Sequence, residues 1–238
     1  MWPQRSRSEA ETGGRMNLTA REAAELKRAI GAYDYPKVLF DFRAGREITC
    51  HSMRDLEKQV RGCLLSRRLD SVKEGLSNIL YWGLARVGYR EARIERFRSQ
   101  VTDEQLRKAQ REFRAIEGTG LQLLKRLGLP QFSHMSFLSK VRMFLDPREY
   151  VVLDLKLMKM AKSDNPNLFS GIKRYPTYVP VTRQNETVYE RWCEACRSLA
   201  ASCFDGSKVF AADVERGIFQ LVQEGNLEMA GRIVEAVS

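Results

Sequence analysis

Apolar residues recur at three- and four-residue spacings along most of the chain, and this pattern predicts helices separated by short polar breaks. Thr19 is placed to cap a helix over REAAELKRAIGAY, which Tyr35-Pro36 ends. KVLFDF alternates enough for a short extended piece. Within 52–68, Met53, Leu56, Val60, Cys63 and Leu64 share one helical face, with Ser52 as cap. Residues 70–100 continue as helix, with Gly83 and Gly88 as interruptions. Thr102, followed by Asp103 and Glu104, starts a helix that runs to Ile116. LQLLKRL is a short helical run, and 163–187 is the longest irregular stretch. Helical spacing resumes over Glu186–Cys203 and from Ala211 onward. Residues 1–15 are polar and read as a mobile tail. Residues 16–238 are expected to form a single helical domain of two intertwined subdomains. The fold class is therefore mainly α, a two-lobed helical bundle around a cleft.

The richest text is MSFLSKVRMFLDPREYVVLDLKLMKMA. Phe137, Leu138, Val141, Phe144 and Leu145 form one apolar arc, and Lys140 falls at its edge. A lysine there packs its stem on the core and sends its amine to a boundary. Asp146-Pro147 ends the helix, because the residue before proline avoids helical geometry. Tyr150–Leu153 reads as extended, and Asp154 stands as the N-cap of a helix over LKLMKMAK.

Charge narrows the partner. Lysine and arginine outnumber aspartate and glutamate by 40 to 30, a net charge of +10. Such an excess favours polyanions through counterion release. Arg86, Arg90 and Arg93 fall on one helical stripe, which would track phosphates or serve as a solvated face. Arg142, beside Lys140, is expected with them on the nucleic-acid-binding surface. Lys173 and Arg174, next to Tyr175 and Tyr178, put cations beside rings in a loop, an arrangement suited to an unpaired base or to ordinary loop packing. Trp82, Phe144 and Tyr178 are candidates to line a base pocket, against a core role for the same rings. No run of about 18 apolar residues suggests a membrane span. The five cysteines and the polar N-terminus fit a reducing, cytoplasmic setting. Cys193, Cys196 and Cys203 supply three thiolates, short of a four-ligand cluster, so no metal is expected.

Ser139-Lys140 with the aromatic-rich helix behind it, the apolar run Val151–Leu153 and then Asp154 resembles the helix-hairpin-helix DNA glycosylase superfamily. Its bacterial 8-oxoguanine DNA glycosylase-like branch is the closer likeness. Leu80-Tyr81-Trp82-Gly83 and Phe210-Ala211-Ala212-Asp213-Val214-Glu215 add to the resemblance, which spans about residues 50–225. It implies a helix-hairpin-helix glycosylase type of bundle that binds double-stranded DNA carrying a damaged or modified base. The base is flipped out and its N-glycosidic bond cleaved, with no diffusible cofactor. Lys140 would then be the nucleophile and Asp154 the electrostatic and acid–base partner. The family's glycine-rich hairpin is not found directly before Lys140, where HMSFLSK stands, and Gly128 lies further upstream. Two other readings remain open: a nucleic-acid-binding helical module without the chemistry, and a helical protein-interaction partner.

Overall fold

The computed structural model describes residues 18–115, 120–160, 167–204 and 208–236. The expected tail at 1–15 lies outside them. The chain is mainly helical. In order it forms α1 (Ala20–Ala32), β1 (Val38–Asp41), β2 (Arg46–Thr49), α2 (Met53–Leu64), α3 (Leu69–Gly83), α4 (Arg90–Gln100), α5 (Asp103–Arg114), α6 (Leu121–Arg126), α7 (Met135–Leu145), a 3-10 turn over Leu155–Met160, α8 (Arg183–Cys203), α9 (Ala211–Gln223) and α10 (Leu227–Glu235). No helix among the described residues is long and apolar enough to cross a membrane.

Local chemistry sets most of these boundaries. Thr19 and Glu22 satisfy each other's backbone N–H at the start of α1, and Thr102 and Gln105 do the same for α5. Ser52 accepts from Asp55 N–H at the start of α2. KVLFDF is indeed extended, and it pairs antiparallel with Arg46–Thr49, from Val38 opposite Thr49 to Asp41 opposite Arg46. The turn signal for this hairpin lay in Ala44-Gly45: Gly45 takes φ 65°, and Asp41 accepts from the N–H groups of Arg43 and Ala44.

The 70–100 region is interrupted where Gly83 and Gly88 were expected to interrupt it: α3 ends at Gly83, and the backbone closes turns at Leu84, Ala85 and Val87 before α4 begins at Arg90. Elsewhere the structure departs from or adds to the sequence reading. The stretch after Asp154 is a 3-10 turn, not an α-helix. The chain before α7 makes a tight turn with two left-handed residues, Gly128 (φ 64°) and Gln131 (φ 69°). Arg93 Nε donates to Gln131 Oε1 at 2.8 Å, tying the side chain of this strained non-glycine residue to α4.

One core runs through the molecule, with Trp192, Tyr189, Phe97, Phe113, Phe132 and Phe144 among its fully buried side chains. α1 crosses α9 closely: a Cβ at Gly217 would sit 2.6 Å from Ile30 Cγ1. Arg216, buried on α9, pairs with the equally buried Glu57 of α2 and with Asp213. A buried charge is tolerated only with such partners.

Candidate functional site

Lys140 lies in the middle of α7 and is 6% exposed. Its stem passes Gly83 so closely that a Cβ there would stand 3.1 Å from Lys140 Cδ and 2.8 Å from Phe137 Cε1. The ammonium donates to Ser136 Oγ at 2.8 Å and to the Ser136 carbonyl at 3.2 Å, and reaches Asp154 Oδ2 at 3.4 Å. Ser136 Oγ donates in turn to Asp154 Oδ2 at 2.9 Å. Asp154 Oδ1 accepts from Lys156 N–H at 3.1 Å, which is the capping role expected for it, performed on a 3-10 turn.

Asp154 is held in place from two sides. The extended segment before it is anchored to α7 by Leu153 N–H donating to Ser139 Oγ at 3.0 Å. On its other side α8 contributes Tyr189 O–H to the Val151 carbonyl (3.0 Å) and Trp192 Nε1–H to the Val152 carbonyl (3.1 Å). These bonds satisfy backbone groups of a buried non-helical segment that pairs with no strand among the described residues. Burial alone pushes the Asp154 carboxyl up. The Lys140 charge, the Lys156 N–H and the Ser136 hydroxyl outweigh it and hold the pKa below the usual aspartate value.

Lys140 and Asp154 line one cavity of about 290 Å³ with Tyr33, Tyr35, Trp82, Gly83, Arg86, Val87, Val152, Lys156, Glu215 and Phe219. It lies where the end of α1, the end of α3, α7, the Asp154 segment and α9 meet. Two of its polar groups stand out. Trp82 is 4% exposed, and its indole N–H has no hydrogen-bond partner among the described residues. Glu215 is equally buried, and burial raises its pKa from 4.5 to about 8, with Asp154 adding to the rise and Arg216 and Lys140 opposing it. At neutral pH it is therefore largely a neutral acid that can both donate and accept a hydrogen bond. Tyr35 donates its O–H to the Gly83 carbonyl (3.3 Å), and its ring meets Trp82 edge-on at 5.2 Å.

The sequence candidates are distributed as follows. Lys140, Asp154, Trp82 and Arg86 share the cavity. Phe144 is fully buried behind Trp82, edge to face at 5.2 Å, and is not part of the lining. Tyr178 lies outside the lining, stacked on His134 at 4.0 Å. Arg86 is in the connection between α3 and α4, so it does not continue the stripe of Arg90 and Arg93. It bonds Asp34 and lies over the Tyr35 ring. Arg90 covers the Tyr81 ring at 3.9 Å. Arg142, expected on a nucleic-acid surface, is instead 4% exposed, paired with Glu190 and laid over Tyr150 at 3.7 Å. Val141 and Phe144 turn that part of α7 into the core, which takes the guanidinium with them. Lys173 is exposed. Arg174 is exposed too, and donates to the Met158 carbonyl at 2.8 Å. Cys193 and Cys196 are buried in α8, and no group of metal-binding side chains occurs among the described residues.

Sequence reading missed Ser136, Glu215, Tyr33 and Tyr35. Ser136 was legible as the residue one helical turn before Lys140, where its side chain must meet the lysine. Glu215 stood in the sequence only as the last residue of the Phe210–Glu215 motif with no role of its own, because only the tertiary approach of α9 brings it to Lys140 and Asp154. The chain matches no protein-family model, no curated protein and no solved structure.

Proposed function

We propose that this protein is a DNA glycosylase-like enzyme that takes a damaged or modified base out of duplex DNA and cleaves its N-glycosidic bond at Lys140 and Asp154. One observation carries the reading. A buried lysine and an ionised aspartate, fourteen residues apart in sequence, meet at 3.4 Å in a cavity that Trp82 and the buried Glu215 also line. A cavity of this size, with charged groups converging among aromatic rings, suits a small polar ring such as a base. A base must leave the stack to reach it. The helix–turn–helix formed by α6 and α7, the +10 charge and the WG pair beside Lys140 support the same reading.

The chemistry follows from the residues. Lys140 Nζ, after shedding a proton, attacks the anomeric carbon of the extruded nucleotide. The glycosidic bond breaks, its electron pair leaves with the base, and the base takes up a proton. Asp154 stays ionised through Ser136 and Lys156, and stabilises the positive charge that grows on the sugar. The Trp82 ring and the Glu215 carboxyl, both in the cavity lining, would meet the base. If the Lys140 adduct opens to a Schiff base, strand nicking follows.

The test is borohydride trapping on duplexes carrying a panel of modified bases. Wild type is expected to give a covalent adduct and Lys140→Ala none. Asp154→Asn is expected to lower the excision rate by roughly a hundredfold or more, as loss of a stabilising charge does. Full excision by Lys140→Ala sinks the nucleophile. Undiminished excision by Asp154→Asn removes the carboxylate's role.

A further inference from the structure

Away from the cavity, three rings form a column on the surface. Tyr178 lies between His134 and Tyr175, stacked on the first at 4.0 Å with an interplanar angle of 24° and on the second at 4.7 Å and 23°. The column joins two segments distant in sequence. His134 caps α7, and the loop that carries the tyrosines is pinned beside it by Met135 N–H donating to the Val179 carbonyl at 3.0 Å.

Hydrogen bonds tie the column down. Tyr175 N–H donates to the Tyr178 carbonyl at 2.9 Å, closing a tight turn. Buried Asn185 accepts from Lys173 N–H and donates to the carbonyls of Lys173 and Pro180, each within 2.9 Å. Yet the outer ring, Tyr175, is 54% exposed, one of the few large apolar side chains left in solvent. Stacked rings held firmly with one free face form a platform, because the entropy of ordering them is already spent.

The charge around it names the occupant. The described loop 167–185 and the α6–α7 stretch 120–145 contain no aspartate or glutamate. They carry Lys125, Arg126, Lys173, Arg174 and Arg183, all exposed. Lys125 and Arg93 stand close enough to His134 that, after burial, they help to lower its pKa, which keeps the imidazole neutral and suited to stacking. Glu186, which follows on α8, is taken up by Gln122. An exposed aromatic face carried on basic segments without carboxylates fits a nucleobase with its phosphates.

We propose that the exposed face of Tyr175 stacks an unpaired base of a DNA strand, with Lys173 and Arg183 holding the flanking phosphates. His134, the N-cap of α7, stands six residues before Lys140, about 9 Å along the helix axis. Stacking at Tyr175 rests on the nucleic-acid part of the proposed function and not on its chemistry.

The experiment compares two single-stranded 12-mers, one with a central 2-aminopurine and one with an abasic residue there. Wild type is expected to quench the 2-aminopurine and to bind that oligonucleotide roughly tenfold or more tightly than the abasic one. Tyr175→Ala removes the quenching and the preference, while Tyr175→Phe keeps both. Lys173→Ala weakens both oligonucleotides equally. Quenching and preference that survive Tyr175→Ala, or equal binding of the two oligonucleotides by wild type, overturn the platform. So does the absence of oligonucleotide binding, the outcome expected if a protein covers these rings. Quenching at Tyr175 without trapping at Lys140 keeps the platform and overturns the glycosylase chemistry. Trapping without quenching does the reverse.

Discussion

At the scale of single residues, the cavity gives chemically similar groups opposite environments. Asp154 and Glu215 line the same cavity, yet one is held ionised and the other protonated. Asp154 has Lys140, Ser136 and a backbone N–H as partners, whereas Glu215 has burial and little else. Environments that push two carboxyls apart in this way divide acid from base work. For Glu215 the folded pKa of about 8 stands above the ordinary 4.5. Between those values the unfolded chain has lost the proton and the folded chain keeps it, so this group's contribution to stability falls as pH rises. Glu215→Gln is therefore expected to melt higher than wild type, by a margin that widens from about pH 5 to about pH 8. One kcal/mol corresponds to about 2–4 °C in a chain of this size. A margin that does not change with pH would show that Glu215 is ionised in the folded protein.

At the scale of elements, the geometry of the pair depends on how α3, α7 and α8 grip one another. α3 ends in Trp82-Gly83, where the missing side chain leaves room for the Lys140 stem. Gly83→Ala would press a methyl on Phe137 Cε1 and the lysine methylenes, and overpacking of this kind costs about 1–3 kcal/mol. Displacement of about 1 Å at a reacting group is enough to lose roughly a hundredfold in rate. The expected result is a folded protein whose trapping yield falls by at least about tenfold. Wild-type trapping by Gly83→Ala would show that Lys140 is not positioned by this contact. The apolar face of α7 was legible from its spacing, as was the Asp154 cap. The support of the 151–153 segment by Tyr189 and Trp192 was not, since those bonds join residues about forty positions apart.

At the scale of the whole molecule, net charge sets association and leaves fold untouched. Forty basic side chains do not all count. Arg142 and Arg216 are spent inside, on Glu190 and on Glu57 with Asp213, while Lys125, Arg126, Lys173 and Arg183 remain exposed. Affinity for an undamaged duplex is expected to fall steeply with salt, by tenfold or more between about 50 and 200 mM, because each neutralised phosphate adds about 0.9 to the slope. Fluorescence anisotropy across that range checks it. Binding indifferent to salt, or none at low salt, would remove DNA as the partner.

Helix content, most helix starts and the apolar face of α7 followed from the sequence, because caps and three-to-four spacing act within one or two turns of backbone. Lys140 and Asp154 were legible for the same reason: each sits at a local boundary of pattern. Only the tertiary structure decided what surrounds them. It brought Glu215 and Trp82 to the same cavity, sent Arg142 inward, broke the arginine stripe at Arg86 and stacked His134 on Tyr178. These outcomes depend on which helix faces pack against which, a long-range choice that no local spacing encodes.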